Sequence, residues 1–289
     1  MSDPFQQALQ TTLPMLKKIQ QGIKPAPKGS TAALKKLRDV ALAHRPVAKP
    51  AEAASLNTPG TGVATTNRSA AKLPAAIPPS SGGGQWTMES LRTAVLACEK
   101  CPHLVRSRTQ VVFGVGNPEA ELLFVGEAPG ADEDAQGEPF VGKAGQLLTK
   151  IIQAMGFERS DIFIANVLKC RPDMPSGESG NRKPKPAEMA TCLPWLGEQI
   201  SLIRPRVIVA LGATAVEGLL GETSPLRDLR GRWLEFQGTP VMVTYHPAYL
   251  LRNQSLSEKR KVWEDMLLVL EKLGKNISAK QRAFFTNPA

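Results

Sequence analysis

Across the last two thirds of the chain the apolar positions keep two alternating rhythms. Solid apolar runs at 121–125, 161–167, 206–211 and 240–244, with a shorter one at 233–236, have the length and composition of strands. Between them, apolar residues that recur every three to four positions predict helices over 142–155, 186–203, 213–220 and 257–273, and another over 88–97 ahead of the first strand. Such strands, separated by helices, predict an α/β fold of three layers, a mainly parallel sheet covered on both faces. About 185 residues is ample for one core of this kind. In open sheets of this type ligands sit beyond the carboxyl ends of the strands. Three polar segments fall there, 126–130, 166–172 and 245–252, and their convergence on one edge is the expected site.

Before residue 87 the rhythm stops. Residues 1–86 are rich in Pro, Ala, Ser, Thr, Lys and Gly, and hold eleven Lys and Arg against three Asp and Glu, a net +8 of the chain's +10. That composition predicts a mostly disordered basic tail, suited to binding a polyanion such as DNA or a protein partner. The competing reading is a partner-binding helix over 4–23, where Phe5, Leu9, Leu13, Leu16 and Ile19 recur at helical spacing around Pro14, with a second over 31–43. The domain is then 87–274, followed by a C-terminal tail over 275–289. No apolar run is long enough to span a bilayer, so no membrane partner is expected. Residues 1–20 lack the apolar core and cleavage site of a secretory leader, and the tail favours Lys over the Arg of a transit peptide. The expectation is a reducing, bacterial-type cytoplasm, with the protein near the nucleoid.

Redox compartment bears on the four cysteines, Cys98, Cys101, Cys170 and Cys192. The first two are spaced C-x2-C and the second two C-x21-C. A pair two apart can grip one metal centre, and two further thiolates from a distant part of the chain complete a four-sulfur site. Each cysteine lies beside polar residues rather than inside an apolar run, which disfavours four unrelated buried thiols. Spacing alone leaves zinc and an iron–sulfur cluster both open.

The candidate chemistry follows the strand ends. Gly126-Glu127-Ala128-Pro129-Gly130 is a glycine-rich turn. Five carboxylates, Glu127, Asp132, Glu133, Asp134 and Glu138, precede Phe140, and Pro139 and flanking glycines would hold that ring at the edge of an acidic loop. An aromatic beside carboxylates suits a planar ring next to a developing positive charge. His246, one of three histidines, follows an apolar strand, with Pro247 fixing the backbone after it. The apolar pair Leu250 and Leu251 beside Arg252 suits insertion into a base stack while a phosphate is held.

Together, the turn at 126–130, the run Gly-x-Pro-Phe-Val-Gly-x-Ala-Gly-x-Leu-Leu over 137–148, Asn166-Val-Leu-Lys-Cys-Arg-Pro, Asn181-Arg-Lys-Pro and His246-Pro-Ala-Tyr-Leu-Leu-Arg resemble the family-four uracil-DNA glycosylases, the iron–sulfur branch of their superfamily. The resemblance covers about 88–273. It departs in the wider spacing of Cys170 and Cys192, where 173–180 reads as an inserted loop, and in the extra tail. It implies a monofunctional glycosylase that flips uracil out of single- or double-stranded DNA and hydrolyses its N-glycosidic bond, acting as a monomer. Phe140 would stack on the base, Asn166 would read its edge, and His246 would donate to O2. Glu127 and Asn181 would position the water, Glu133 would steady the cationic sugar, and Ala128, where relatives can hold an aspartate, would offer only its backbone. Leu250, Leu251 and Arg252 would contact DNA. The resemblance turns the metal toward [4Fe-4S], with zinc as the alternative. A non-turnover or covalently trapping relative is the rival function. Arg227 to Arg232 is basic, as in that branch, but lacks its histidine.

Overall fold

The computed structural model describes residues 86–286 apart from 176, 177 and 179. The basic tail and its two candidate helices lie outside the described residues as far as residue 85.

The sheet has six strands: β1 (Val115–Gly116), β2 (Leu122–Gly126), β3 (Phe163–Asn166), β4 (Val207–Leu211), β5 (Trp233–Phe236) and β6 (Thr239–Thr244). Their order is β1-β3-β2-β4-β6-β5. The inner four are parallel, and β1 and β5 close the two edges antiparallel. Every residue of β2, β3 and β4 is buried, as solid apolar runs require when both faces are covered. Side chains part with a period of two. Leu123, Val125, Phe163, Ala165, Ile208 and Ala210 enter one core, while Leu122, Phe124, Ile164, Val207, Val209 and Leu211 enter the other.

On the first face lie α1 (Met88–Leu96), α5 (Pro186–Ile203) and α6 (Ala213–Leu220), which bury Leu91, Val95, Leu196, Ile200 and Val216. On the second lie α4 (Lys143–Met155) and α9 (Leu256–Lys272), which bury Leu148, Ile152, Trp263, Met266 and Leu270. Each such aliphatic or aromatic side chain contributes roughly 1.5–3 kcal/mol by leaving water. Among the described residues no helix is long and apolar enough to cross a membrane.

Three short helices differ from the sequence reading. The acidic loop is instead helix α3 (Ala131–Gln136). Glu133 reaches back to accept from the Gly130 amide at 3.0 Å, and Gly137 ends the helix at φ 77°. Helices α2 (Pro102–Ser107) and α8 (Pro247–Arg252), neither of which was read from the sequence, each begin with a proline at the first helical position, where a missing N–H does no harm. A single turn, α7 (Leu226–Leu229), precedes β5. The segment set apart as a C-terminal tail contributes α10 (Ala279–Arg282), whose Gln281 carbonyl accepts from Trp263 Nε1 at 2.6 Å, and Phe284 packs on the Trp263 ring.

Candidate active site and four-cysteine centre

The chain runs from β2 through α4 to β3 on one side, then through α5 to β4 on the other side of β2. That reversal opens a crevice at the carboxyl ends of β2 and β4. A cavity of about 330 Å³ lies there. It gathers Glu127 and Ala128 from the exit of β2, Glu133 from α3, Phe140, Asn166 from the end of β3, Asn181, His246 from the exit of β6, and Arg252 from α8. The sequence named all of these. Leu250 and Leu251 are not in the wall. Leu250 is only 4% exposed and anchors α8 in the interior, which corrects its reading as a DNA wedge; Leu251 is 38% exposed and free to reach a partner.

Glycine makes the geometry possible at two points. A Cβ on Gly126 would lie 2.4 Å from Asn166 Oδ1 and 2.5 Å from Phe140 Cζ, and one on Gly145 would fall 1.7 Å from the Phe140 carbonyl oxygen. Phe140 itself is held at φ 57°, a conformation a bulky residue rarely adopts and one that stores strain at functional sites. Its bracing is visible. Arg159 donates to the carbonyls of Phe140 and Pro139 at 3.3 and 3.0 Å, and Glu133 accepts from the Val141 and Gly142 amides at 3.1 Å each. Both Glu133 oxygens are therefore occupied by backbone, so this carboxylate positions the Phe140 loop.

Three side chains carry distinct electrostatic states. Asn166 is 2% exposed and its Oδ1 has no hydrogen-bond partner, an acceptor withheld from the rest of the protein. His246 caps α8 and its Nδ1 accepts from the Ala248 amide at 3.1 Å, which leaves the ring proton on Nε2. Burial, reinforced by Arg252, lowers its pKa to about 4 against the pull of Glu133, so the ring is neutral near pH 7. The imidazole stacks on Phe140 with centroids 5.5 Å apart. Burial raises the Glu127 carboxyl above its ordinary range, partly offset by the Thr214 hydroxyl and the Lys183 charge.

All four cysteines line a second, smaller hollow. Cys98 follows α1, Cys101 caps α2, Cys170 lies past β3 and Cys192 is inside α5. All are free thiols. Three sulfurs receive N–H donors: Arg108 Nη1 to Cys170 at 3.0 Å, the Lys169 amide to Cys192 at 3.3 Å, and Trp195 Nε1 to Cys98 at 3.4 Å. Burial raises the Cys101 and Cys170 thiols and pushes Cys192 up to about 12, so a metal would have to displace their protons. Among the described residues, the only trio of potential ligand atoms that all lie within 4.8 Å of one another is His103, Asp173 and Glu188. No three cysteine sulfurs approach that closely, whereas one zinc at its usual bond length would draw them to about 3.8 Å. Four free thiols around one hollow are a donor set suited to zinc or to an iron–sulfur cluster.

Two features were not read from the sequence. Arg182 joins the cavity wall beside Asn181, and Thr214 stands against Glu127 from the first turn of α6. Position 214 lies in an apolar helix and carries no pattern that marks it. For His246, the signal available was Pro247, a first-turn proline that makes its neighbour a cap.

Residues 113–267 match the family described as the uracil DNA glycosylase superfamily. The chain is 45% identical over 182 residues to the type-4 uracil-DNA glycosylase of Thermotoga maritima, covering 62% of this chain and 91% of that protein. It is 40% identical over 181 residues to the type-4 uracil-DNA glycosylase of Archaeoglobus fulgidus, covering 60% and 87%. With the type-5 uracil-DNA glycosylase of Thermus thermophilus, identity is 29% over 163 residues, or 46% and 71% of the two chains.

Proposed function

The chain belongs to the uracil-DNA glycosylase superfamily and, within it, to the type-4 family, and from this premise we propose that the pocket at the sheet edge is where uracil is held and cut from DNA. The protein is a monofunctional uracil-DNA glycosylase of DNA repair. It releases uracil and leaves an abasic site.

The observation that carries the site reading is the unpartnered Asn166 Oδ1 beside the strained Phe140 ring. Uracil offers a planar face, an N3–H donor and an O4 acceptor. Stacked on Phe140, it would give its N3–H to Oδ1 and take a bond from the amide nitrogen at O4. Cytosine presents the opposite polarity and would leave the buried amide mismatched, which is the stronger form of selection. As the C1′–N1 bond breaks, the base leaves as an anion with charge on O2. The neutral His246, its proton held on Nε2 by the Ala248 amide, stabilises that charge without itself ionising. Glu127, made more basic by burial, orients the water that attacks C1′ and takes its proton, with Asn181 helping to place it. Ala128 contributes its backbone alone. Glu133 acts through the loop it brackets, and its charge faces the same cavity. Arg252 and the exposed Leu251 meet the DNA strand, while Leu250 fixes their helix.

Cys98, Cys101, Cys170 and Cys192 would hold a [4Fe-4S] cluster, which would cross-link α1, α2, α5 and the exit of β3 rather than take part in the hydrolysis. We further propose a monomer in the reducing cytoplasm, at the nucleoid, with the basic tail of 1–86 as an electrostatic tether to DNA. The deciding assay is incubation with a uracil-containing oligonucleotide followed by alkali. Strand scission at uracil, absent with cytosine or thymine there, is the expected result; no scission in either single- or double-stranded substrate would overturn it.

A further inference from the structure

The trio His103, Asp173 and Glu188 has the spacing of a metal site, yet a cation of the protein's own stands among its members. Arg182 donates through Nη1 and Nη2 to the two Glu188 oxygens at 2.9 and 2.7 Å, through Nε to the Asp173 carbonyl at 2.6 Å, and through Nη2 to the Asp173 carboxylate. Glu188 is saturated, since it also accepts from the Lys185 amide at 2.7 Å and from His103 Nε2 at 2.8 Å. Its pKa falls to about 2 because these donors outweigh its burial. The side chain is almost wholly enclosed and takes no part in the cavity wall.

The places of these residues give the network its meaning. Arg182 is the neighbour of Asn181, and both line the cavity. Glu188 is in the first turn of α5, one turn before Cys192, and His103 is in α2, two residues after Cys101. We propose that Arg182 is the positioning residue of Asn181, its guanidinium fork clamping this arm of the active site to the two helices that carry Cys101 and Cys192. The inference rests on the assignment of Asn181 to water positioning above. A fork that grips a carboxylate with two nitrogens fixes direction as well as distance, which a lysine cannot do. Small displacements of a positioned group slow chemistry by up to about a hundredfold.

The test separates positioning from phosphate binding. Single-turnover rates at saturating uracil duplex, and affinity for a duplex carrying the uncleavable 2′-fluoro-2′-deoxyuridine, are measured for Asn181→Ala, Arg182→Gln, Arg182→Lys, Glu188→Gln and Asp173→Asn, all as the full chain. Arg182→Gln and Glu188→Gln are each expected to lower the saturating rate about ten- to a hundredfold with affinity changed less than about threefold. Arg182→Lys should stay slow because it keeps charge and loses the fork. Arg182→Gln added to Asn181→Ala should cost less than about twofold more. Asp173→Asn, the more exposed partner, keeps the test open if a Glu188 variant does not fold, and should show a smaller loss of rate at unchanged affinity. Full rescue by lysine, additive losses in the double variant, or weaker affinity with an unchanged rate would overturn the proposal; the last would make Arg182 a phosphate contact. A wild-type rate in Asn181→Ala would instead remove the site assignment on which the inference rests.

Discussion

The pocket and the cysteine corner both hang on the exit of β3, Asn166 on one side and Cys170 on the other, yet they treat polar groups in opposite ways. In the corner, three of the four sulfurs already hold N–H donors, and the buried Lys169 ammonium is met by Gln199, which in turn donates to the Phe113 carbonyl. In the pocket, Asn166 Oδ1 has no partner, Phe140 stays in a strained backbone conformation, and His246 and Glu127 are held by burial away from their ordinary pKa values. Satisfied groups make the corner a staple. In the proposed reading, withheld groups would make the pocket reactive, because hydrogen bonds left unmade in the free protein would be available to the flipped base and the leaving anion.

The largest expected break in this comparison comes from the charge-handling pair. His246→Ala and Glu127→Ala should each slow single-turnover excision about a hundredfold or more, with little change in binding to an abasic product. The pH dependence identifies which group sets the acid limb. His246 stays neutral down to about 4, so the rate should fall first as Glu127 gains its proton, at a midpoint above 4.5. That limb should vanish in Glu127→Gln, and a limb that persists there assigns it elsewhere. On stability the His246 sign is fixed as well. Its folded pKa lies below the ordinary 6.5, so the unfolded chain binds more protons between about 6.5 and 4, and stability should drop as pH falls through that window.

In the corner the same logic runs the other way. Cys170→Ser should reduce folded yield and iron content several-fold, and lower the rate per folded molecule less than it lowers yield. Purified anaerobically, the wild-type protein should be brown, with broad absorbance near about 400 nm and iron in place of stoichiometric zinc.

A subtler contrast concerns stability within the pocket. Asn166→Leu replaces an unsatisfied buried acceptor with an apolar side chain of the same branching, so stability should hold or rise, by about 1 kcal/mol, while excision is lost. Melting that falls by several degrees would mean that the amide is a structural member like those around the sulfurs.

The smallest effect is expected outside both regions. Deleting residues 1–86, which hold net +8, should leave the saturating rate intact, weaken DNA affinity at low salt and flatten its salt dependence. An unchanged salt slope would end the tether idea.

The four inner strands and the long helices were legible in the sequence because each carries at least two turns or four consecutive buried positions, enough to fix a period, whereas β1 has only two half-buried residues and was not read. Helices α2, α3 and α8 are six residues each, too short for the period to show, and two of them open on prolines. The acidic stretch read as a loop because its carboxylates look solvated, whereas Glu133 and Asp134 satisfy backbone amides, the latter that of Thr109 at 3.0 Å. The pocket was legible because parallel strands deliver their carboxyl ends to one edge. Leu250 was misassigned since neighbouring leucines on a one-turn helix point to different sides, and composition does not say which faces inward. Thr214 acts through Glu127, far away in sequence, and Arg182 through Asp173 and Glu188 across an irregular segment that has no period to read.

One consequence of the strand order belongs to the protein's birth on the ribosome. Leu122 of β2 pairs with Val207 of β4, so the middle of the sheet waits for a late part of the chain. Cys192 precedes that strand. A nascent chain that has reached residue 205 therefore holds every cysteine but only β1, β2 and β3, and still lacks Ile208 and Ala210, which share one core with Leu196 and Ile200 of α5. Stalled chains of that length should thus retain iron poorly compared with chains released beyond β4, which makes the last strands of the sheet the lock that is turned after the staple is set.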